Sequence, residues 1–159
     1  MANCPKPPDS LTSAHAHDLE LTAPLAARAF RVLVADDYES VREGVCAILK
    51  SRPEIEVCAQ ARNGEEAIEK ALQLKPDLII LDISMPGLGG VEAARQIKVL
   101  LPEVRILFFT MHNVPQLLAI AESVGAQGFV TKDQMAATLL YAVDALRRNE
   151  TFFRPGARC

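Results

Sequence analysis

The stretch DLIILDISMPGLGG, Asp77 to Gly90, decides the fold. Asp77 to Leu81 leads into an unbroken apolar run, without the alternation of a half-exposed strand, so it reads as a strand covered on both faces. Asp82 follows at once, and the chain then enters Met85-Pro86-Gly87, residue types that make turns. In open parallel sheets the ligand site lies beyond the carboxyl ends of the strands, so an acid at such an end is a candidate site residue.

Working outward, Arg31 to Ala35 and Arg105 to Phe109 are runs of the same kind, and Glu56 to Ala61 and Gln127 to Thr131 are weaker ones. Between them Val41, Val45, Ile48 and Leu49 fall at helical spacing, as do Ala67, Ile68, Ala71 and Leu72, which gives each helix one face for a sheet. Pro115 suits the first position of a fourth helix, and Gly125 is placed to end it in the left-handed conformation. A last helix is predicted from Gln134 to Arg148. Strands alternating with helices in five β-α units, with no internal repeat, predict an α/β domain with a parallel sheet.

The chain has 159 residues, half of them apolar, which is enough for the core of one domain. A net charge of −3 with scattered Lys and Arg offers no basic stripe, so nucleic-acid binding by this chain alone is not expected. Cys4, Cys46, Cys58 and Cys159 have neither CxxC pairing nor zinc-ligand spacing and read as reduced thiols. Residues 1–28, rich in Ala, Pro, Ser, Thr and His, are expected to be a mobile extension, residues 29–150 the folded domain, and 151–159 a C-terminal tail or the start of a linker. No apolar stretch has the length of a signal peptide or a membrane span, so a cytoplasmic protein without membrane contact is expected.

The strand ends carry the candidate chemistry. The first strand ends in Asp36 and Asp37, the third in Asp82, the fourth in Thr110 and the fifth in Lys132. With strand order 2-1-3-4-5, Asp82 lies between the acidic pair and the Thr110–Lys132 side. Neighbouring strands are about 4.8 Å apart, and two unit charges about 5 Å apart repel by roughly 3 kcal/mol at an effective dielectric near 20. Such a cluster needs a cation or a raised pKa. Magnesium suits it, because it takes oxygen ligands, keeps waters and shares its remaining positions with phosphate. Each residue also has a plainer reading. Asp36 with Glu39 has the spacing of a capping box, Asp82 is a turn residue, Thr110 a strand-end hydroxyl and Lys132 a solvated charge.

The runs VADD, LIILDISMPGLGG, LFFT and GFVTK, in this order, resemble the receiver domain of bacterial two-component response regulators across Phe30 to Glu150. The details TMHN, GAQGFVTKD and the ending TFFRP are similar to the NarL/FixJ-type subfamily, with LuxR-type effectors. The resemblance implies a flavodoxin-like three-layer αβα sandwich with a five-stranded sheet of order 2-1-3-4-5. It makes Asp82 the phosphoacceptor, and has Asp37 and the backbone carbonyl of Ser84 ligate magnesium while Asp36 acts through a metal-bound water. Thr110 would hydrogen-bond the phosphoryl oxygens, Lys132 would pair with them, and Phe129 matches the aromatic that turns inward when the threonine moves. The phosphoryl donor would be a sensor histidine kinase or phosphotransfer protein. A homodimer is compatible, and no external metabolite is turned over. Such regulators commonly continue into a DNA-binding helix-turn-helix.

Two departures stand out: Asp133 follows Lys132 where many receivers have proline, and Met111 follows Thr110 where many have a small residue, which is expected to narrow the pocket. His112 is a candidate neighbour of an attacking water, and His15 and His17 have no further metal ligands near them in sequence. Phe152 and Phe153 either form a docking surface or fold back on the core. The competing reading is a magnesium-dependent phosphohydrolase with an aspartyl-phosphate intermediate. That chemistry wants a second acid two residues after the nucleophile, where this chain has Ser84.

Overall fold

A computed structural model describes residues 28–111 and 115–153, with the backbone alone at Met135. His15, His17, His112, Cys4, Cys159 and the expected mobile extension up to residue 27 lie outside the described residues. The elements are β1 (Phe30–Ala35), α1 (Glu39–Lys50), β2 (Ile55–Ala61), α2 (Gly64–Leu74), β3 (Leu78–Leu81), α3 (Gly90–Leu100), β4 (Arg105–Thr110), α4 (Leu117–Ser123), β5 (Gly128–Thr131), a 3-10 turn (Lys132–Gln134) and α5 (Met135–Arg147). All strand pairs are parallel, and the order is β2-β1-β3-β4-β5. This is the flavodoxin-like arrangement, with its order reversing between β1 and β3.

Because side chains alternate along a strand, each apolar run serves two cores. Leu33, Ile79, Leu81, Ile106 and Phe108 meet Ala67 and Ala71 of α2, Ala93 and Ile97 of α3, and Leu117 of α4. On the other face Val32, Val34, Ile80, Leu107 and Phe109 meet Val45 and Leu49 of α1 and Leu139 and Val143 of α5. A strand with both faces covered has no place for a polar residue until its end, which is why the polar side chains collect there.

Two expectations are corrected. Pro115 is not the first residue of the fourth helix: it lies in a turn, and α4 starts at Leu117 after the cap residue Gln116. Leu72 is 42% exposed, so the buried face of α2 is carried by Ala67 and Ala71 instead. Gly125 does take the left-handed conformation, at φ +76°. Cys46 and Cys58 are free thiols, both held above their ordinary pKa by burial. Phe152 and Phe153 fold back: Phe152 packs against the core shared by α1 and α5, Phe153 against the opposite one.

Candidate functional site

Parallel registers align Ala35 with Leu81, and Leu81 with Phe108. The hydrogen-bond ladder then runs one step past the strands: Asp36 N–H donates to Ala61 O at 3.0 Å and Asp82 N–H to Ala35 O at 2.9 Å. That extra step fixes the two acids side by side. Asp36, Asp82 and Thr110 are 1%, 2% and 3% exposed. Asp37 is half-buried, and oxygens of Asp36, Asp37 and Asp82 all lie within 4.8 Å of one another.

Lys132 is far from solvated. Its side chain is 8% exposed, and Nζ lies 2.6 Å from Asp36 Oδ2 and 3.3 Å from Asp82 Oδ2. The ammonium also sits 5.7 Å from the centre of the Phe109 ring. Burial alone would lower the Lys132 pKa, but hydrogen bonding to Asp36 and the charges of Asp82 and Asp36 outweigh it and hold the ammonium above its ordinary value. The Asp82 carboxyl is pushed up to about 6, first by burial and then by the charge of Asp36, against the opposing pull of Lys132 and the Ser84 N–H.

The capping-box reading of Asp36 and Glu39 is replaced by a different contact. Tyr38 is the cap residue of α1 and makes no side-chain cap; its N–H donates to Asp36 Oδ1 at 2.9 Å, turning the chain into the helix. Ser84 meets Asp82 through its N–H, which donates to Oδ1 at 3.2 Å. The expected narrowing by Met111 finds no support in packing, because that side chain is 68% exposed. No peptide bond among the described residues is cis, consistent with Asp133 after Lys132. Phe129 is 3% exposed and lies within the core of β5 and α4.

Among the described residues the donor set is three carboxylates, with no sulfur or imidazole, which suits a hard divalent cation. Asp37 Oδ1 is buried without a hydrogen-bond partner among the described residues. A buried carboxylate oxygen left so is costly unless a ligand meets it.

Three residues that sequence reasoning missed hold this arrangement. Arg42, on the first turns of α1, donates from Nη1 to Asp36 O at 2.7 Å and from Nε to Gln60 Oε1 at 3.2 Å. Glu65 Oε1 accepts from Leu88 N–H at 3.2 Å and steadies the loop after Asp82. At Gly90 an added Cβ would lie 1.9 Å from Asp82 O, so the start of α3 can close over that strand end only as glycine. The GLGG run carried a signal for the last of these; nothing in the sequence pointed to the partners of Arg42 or Glu65.

Comparison with known proteins agrees with this geometry. Residues 32–144 match the family described as response regulator receiver domain. The transcriptional regulatory protein LnrK of Bacillus subtilis is 42% identical over 113 residues, which cover 71% of this chain and 51% of that protein. The response regulator protein VraR of Staphylococcus aureus is 38% identical over 125 residues, covering 79% of this chain and 60% of that protein. The chain thus spans between half and two thirds of the length of these relatives. Among solved structures, a LuxR-family two-component response regulator from Aurantimonas sp. SI85-9A1 superimposes with a TM-score of 0.76 at 35% identity, covering 80% of this chain and 91% of that one. The isolated REC domain of RcsB from Salmonella enterica, in the presence of phosphomimetic BeF3−, gives 0.74 at 26% identity, covering 80% and 94%. This chain belongs to the family of response regulator receiver domains.

Proposed function

We propose that Asp82 is the phosphoacceptor of this receiver, and that the chain works as a cytoplasmic switch phosphorylated by a sensor histidine kinase or phosphotransfer protein. The observation that carries the reading is the placement of one buried carboxylate, Asp82, between two further acids and a buried lysine. An Asp82 carboxylate oxygen attacks phosphorus, the P–N bond of phosphohistidine breaks as the O–P bond forms, and the departing imidazole keeps the electron pair. Asp36, Asp37 and Asp82, with the Ser84 carbonyl, are the residues to hold magnesium. When bound, the ion supplies positive charge against the phosphoryl oxygens.

Lys132 is already within reach of Asp82 and can pair with the new phosphoryl oxygens, while the Thr110 hydroxyl donates to them from the end of β4. Thr110 drawn toward the phosphoryl group leaves room beside β5, and a buried Phe129 is what fills it. The domain is assigned to residues 29–150, with the following residues a tail or linker and homodimerisation a compatible output.

The phosphohydrolase alternative has nothing in its favour: the position two residues after Asp82 is Ser84, whose N–H serves Asp82 itself. Incubation with acetyl phosphate and magnesium, followed by intact-mass measurement, tests the assignment. One phosphoryl group is expected on the wild type and none on Asp82→Asn. Phosphorylation of the Asp82→Asn protein would refute it, and many turnovers of p-nitrophenyl phosphate per site would restore the enzyme reading.

A further inference from the structure

After α5 the chain crosses the free edge of the sheet. Phe152 N–H donates to Gln127 O at 2.8 Å, Phe129 N–H donates to Phe152 O at 2.9 Å, and Gly128 and Phe152 form a parallel bridge. The two phenylalanines then take opposite faces, as successive residues of an extended chain do. Phe153 lies on the α4 side, with its ring centre 6.3 Å from that of Phe129 and the planes inclined at 50°. A close approach makes this possible: a Cβ at Gly128 would stand 2.4 Å from Phe152 O.

Phe129 is therefore held twice by the same short segment, through its N–H and through its ring. In the sheet it faces Phe108, and two residues further along the same strands Thr131 faces Thr110. The one aromatic ring of β5, two residues before the strand's acceptor end, thus has Phe152 and Phe153 as its cover.

We propose that Thr151–Phe153 is a strap that senses the acceptor site through Phe129 and passes its state to whatever follows in the chain. The inference rests on Asp82 and Thr110 acting as proposed above. Phe153 and the phosphoryl group then favour the same buried placement of Phe129, so each strengthens the other, and the coupling acts in both directions. The strap is held by two backbone hydrogen bonds at the sheet edge, so its order responds readily to how firmly Phe129 is fixed. Direct output through the chain's own exit would follow, without a partner having to read a helix face.

Amide NMR spectra with magnesium and beryllofluoride test this on the wild type, Phe153→Ala, Phe153→Leu and Gly128→Ala. In the wild type the amides of Phe129, Phe152 and Phe153 are expected to shift together with those of Thr110 and Lys132. Loss of an aromatic pair contact should weaken the beryllofluoride midpoint of Phe153→Ala roughly 2- to 10-fold, with the Thr110 and Lys132 shifts retained and the Phe152 shift lost. Phe153→Leu keeps apolar cover, and with it the fold, while removing the ring contact; it should behave like Phe153→Ala. Gly128→Ala leaves both rings intact and displaces the strap's backbone, and should also uncouple Phe152. If Thr110 and Lys132 respond while residues 151–153 stay still, or if the Phe153→Leu midpoint equals that of the wild type, the strap is overturned and the acceptor reading stands. If Thr110 and Lys132 do not respond in the wild type, the acceptor reading fails and takes the strap with it.

Discussion

Asp82→Asn should make the magnesium-free protein more stable at neutral pH. In the folded protein the carboxyl is pushed from the ordinary 3.8 to about 6, chiefly by burial and by the charge of Asp36. Each pH unit corresponds to 1.36 kcal/mol, so the ionised group destabilises the fold by about 3 kcal/mol at pH 7. The folded state holds its proton more tightly than the unfolded chain does. Stability is therefore unaffected well below pH 4, falls as pH rises from about 4 to 6, and is lowest above that window. Asparagine keeps the Oδ1 that accepts the Ser84 N–H, at 3.2 Å in the wild type. Its amide group, however, faces Lys132 less favourably than Oδ2 does. The expected gain is about 1–3 kcal/mol, or on the order of 4 °C per kcal/mol in Tm for a domain of this size. Urea unfolding in EDTA at pH 7.5 and pH 4 measures it. Magnesium at tenfold over its Kd should return about 1.4 kcal/mol to the wild type and less to the variant. A variant no more stable than wild type at pH 7.5, or a gap that persists undiminished at pH 4, would refute the electrostatic reasoning.

Asp37→Ala should abolish the weak magnesium binding expected without phosphate, and Asp36→Ala should reduce it less, by titration calorimetry or NMR; unchanged affinity in Asp37→Ala would contradict the site. Gly90→Ala must displace the backbone at Asp82, because its Cβ would meet Asp82 O at 1.9 Å, and should lower stability by about 1–3 kcal/mol or more in urea titrations. The 159-residue chain should show no sequence-specific DNA binding in filter or anisotropy assays at physiological salt, as its net charge is −3 with no basic stripe; sub-micromolar specific binding would count against that.

The strands were legible because a strand buried on both faces must be apolar without interruption, and Val32–Ala35, Leu78–Leu81 and Ile106–Phe109 all are. Their ends were legible for the complementary reason: Asp36, Asp82 and Thr110 are the first polar residues the core releases. Burial of Lys132 was not legible, because one lysine looks the same in solvent as between two carboxylates 50 and 96 residues away. The start of α4 shifted past Pro115 for a local reason: a favourable N1 residue permits a helix start without requiring one. Leu72 was misplaced because small alanines fill the α2 interface and leave its rim open. The return of Phe152 and Phe153 depends on Gly128, whose missing Cβ admits a backbone that no periodicity announces.

The charges at the site show why a cation suits it. Three carboxylates and one ammonium leave a formal charge of −2 in a nearly closed space. The lysine does not divide itself evenly: it lies at 2.6 Å from Asp36 and 3.3 Å from Asp82. Asp36 is thereby the better neutralised acid, and Asp82 keeps the raised proton affinity of a carboxylate short of positive charge. A divalent cation brings the formal sum to zero, and a phosphoryl group on Asp82 then adds about −1.5 to −2 in exchange for the charge of the carboxylate it esterifies. Lys132, already 3.3 Å from Asp82 Oδ2, is within reach of a group carried there. On the proposed reading, the repulsion among the three carboxylates is free energy that a bound cation and a phosphoryl group recover, and that recovery would separate two states of β4, β5 and the segment beside them.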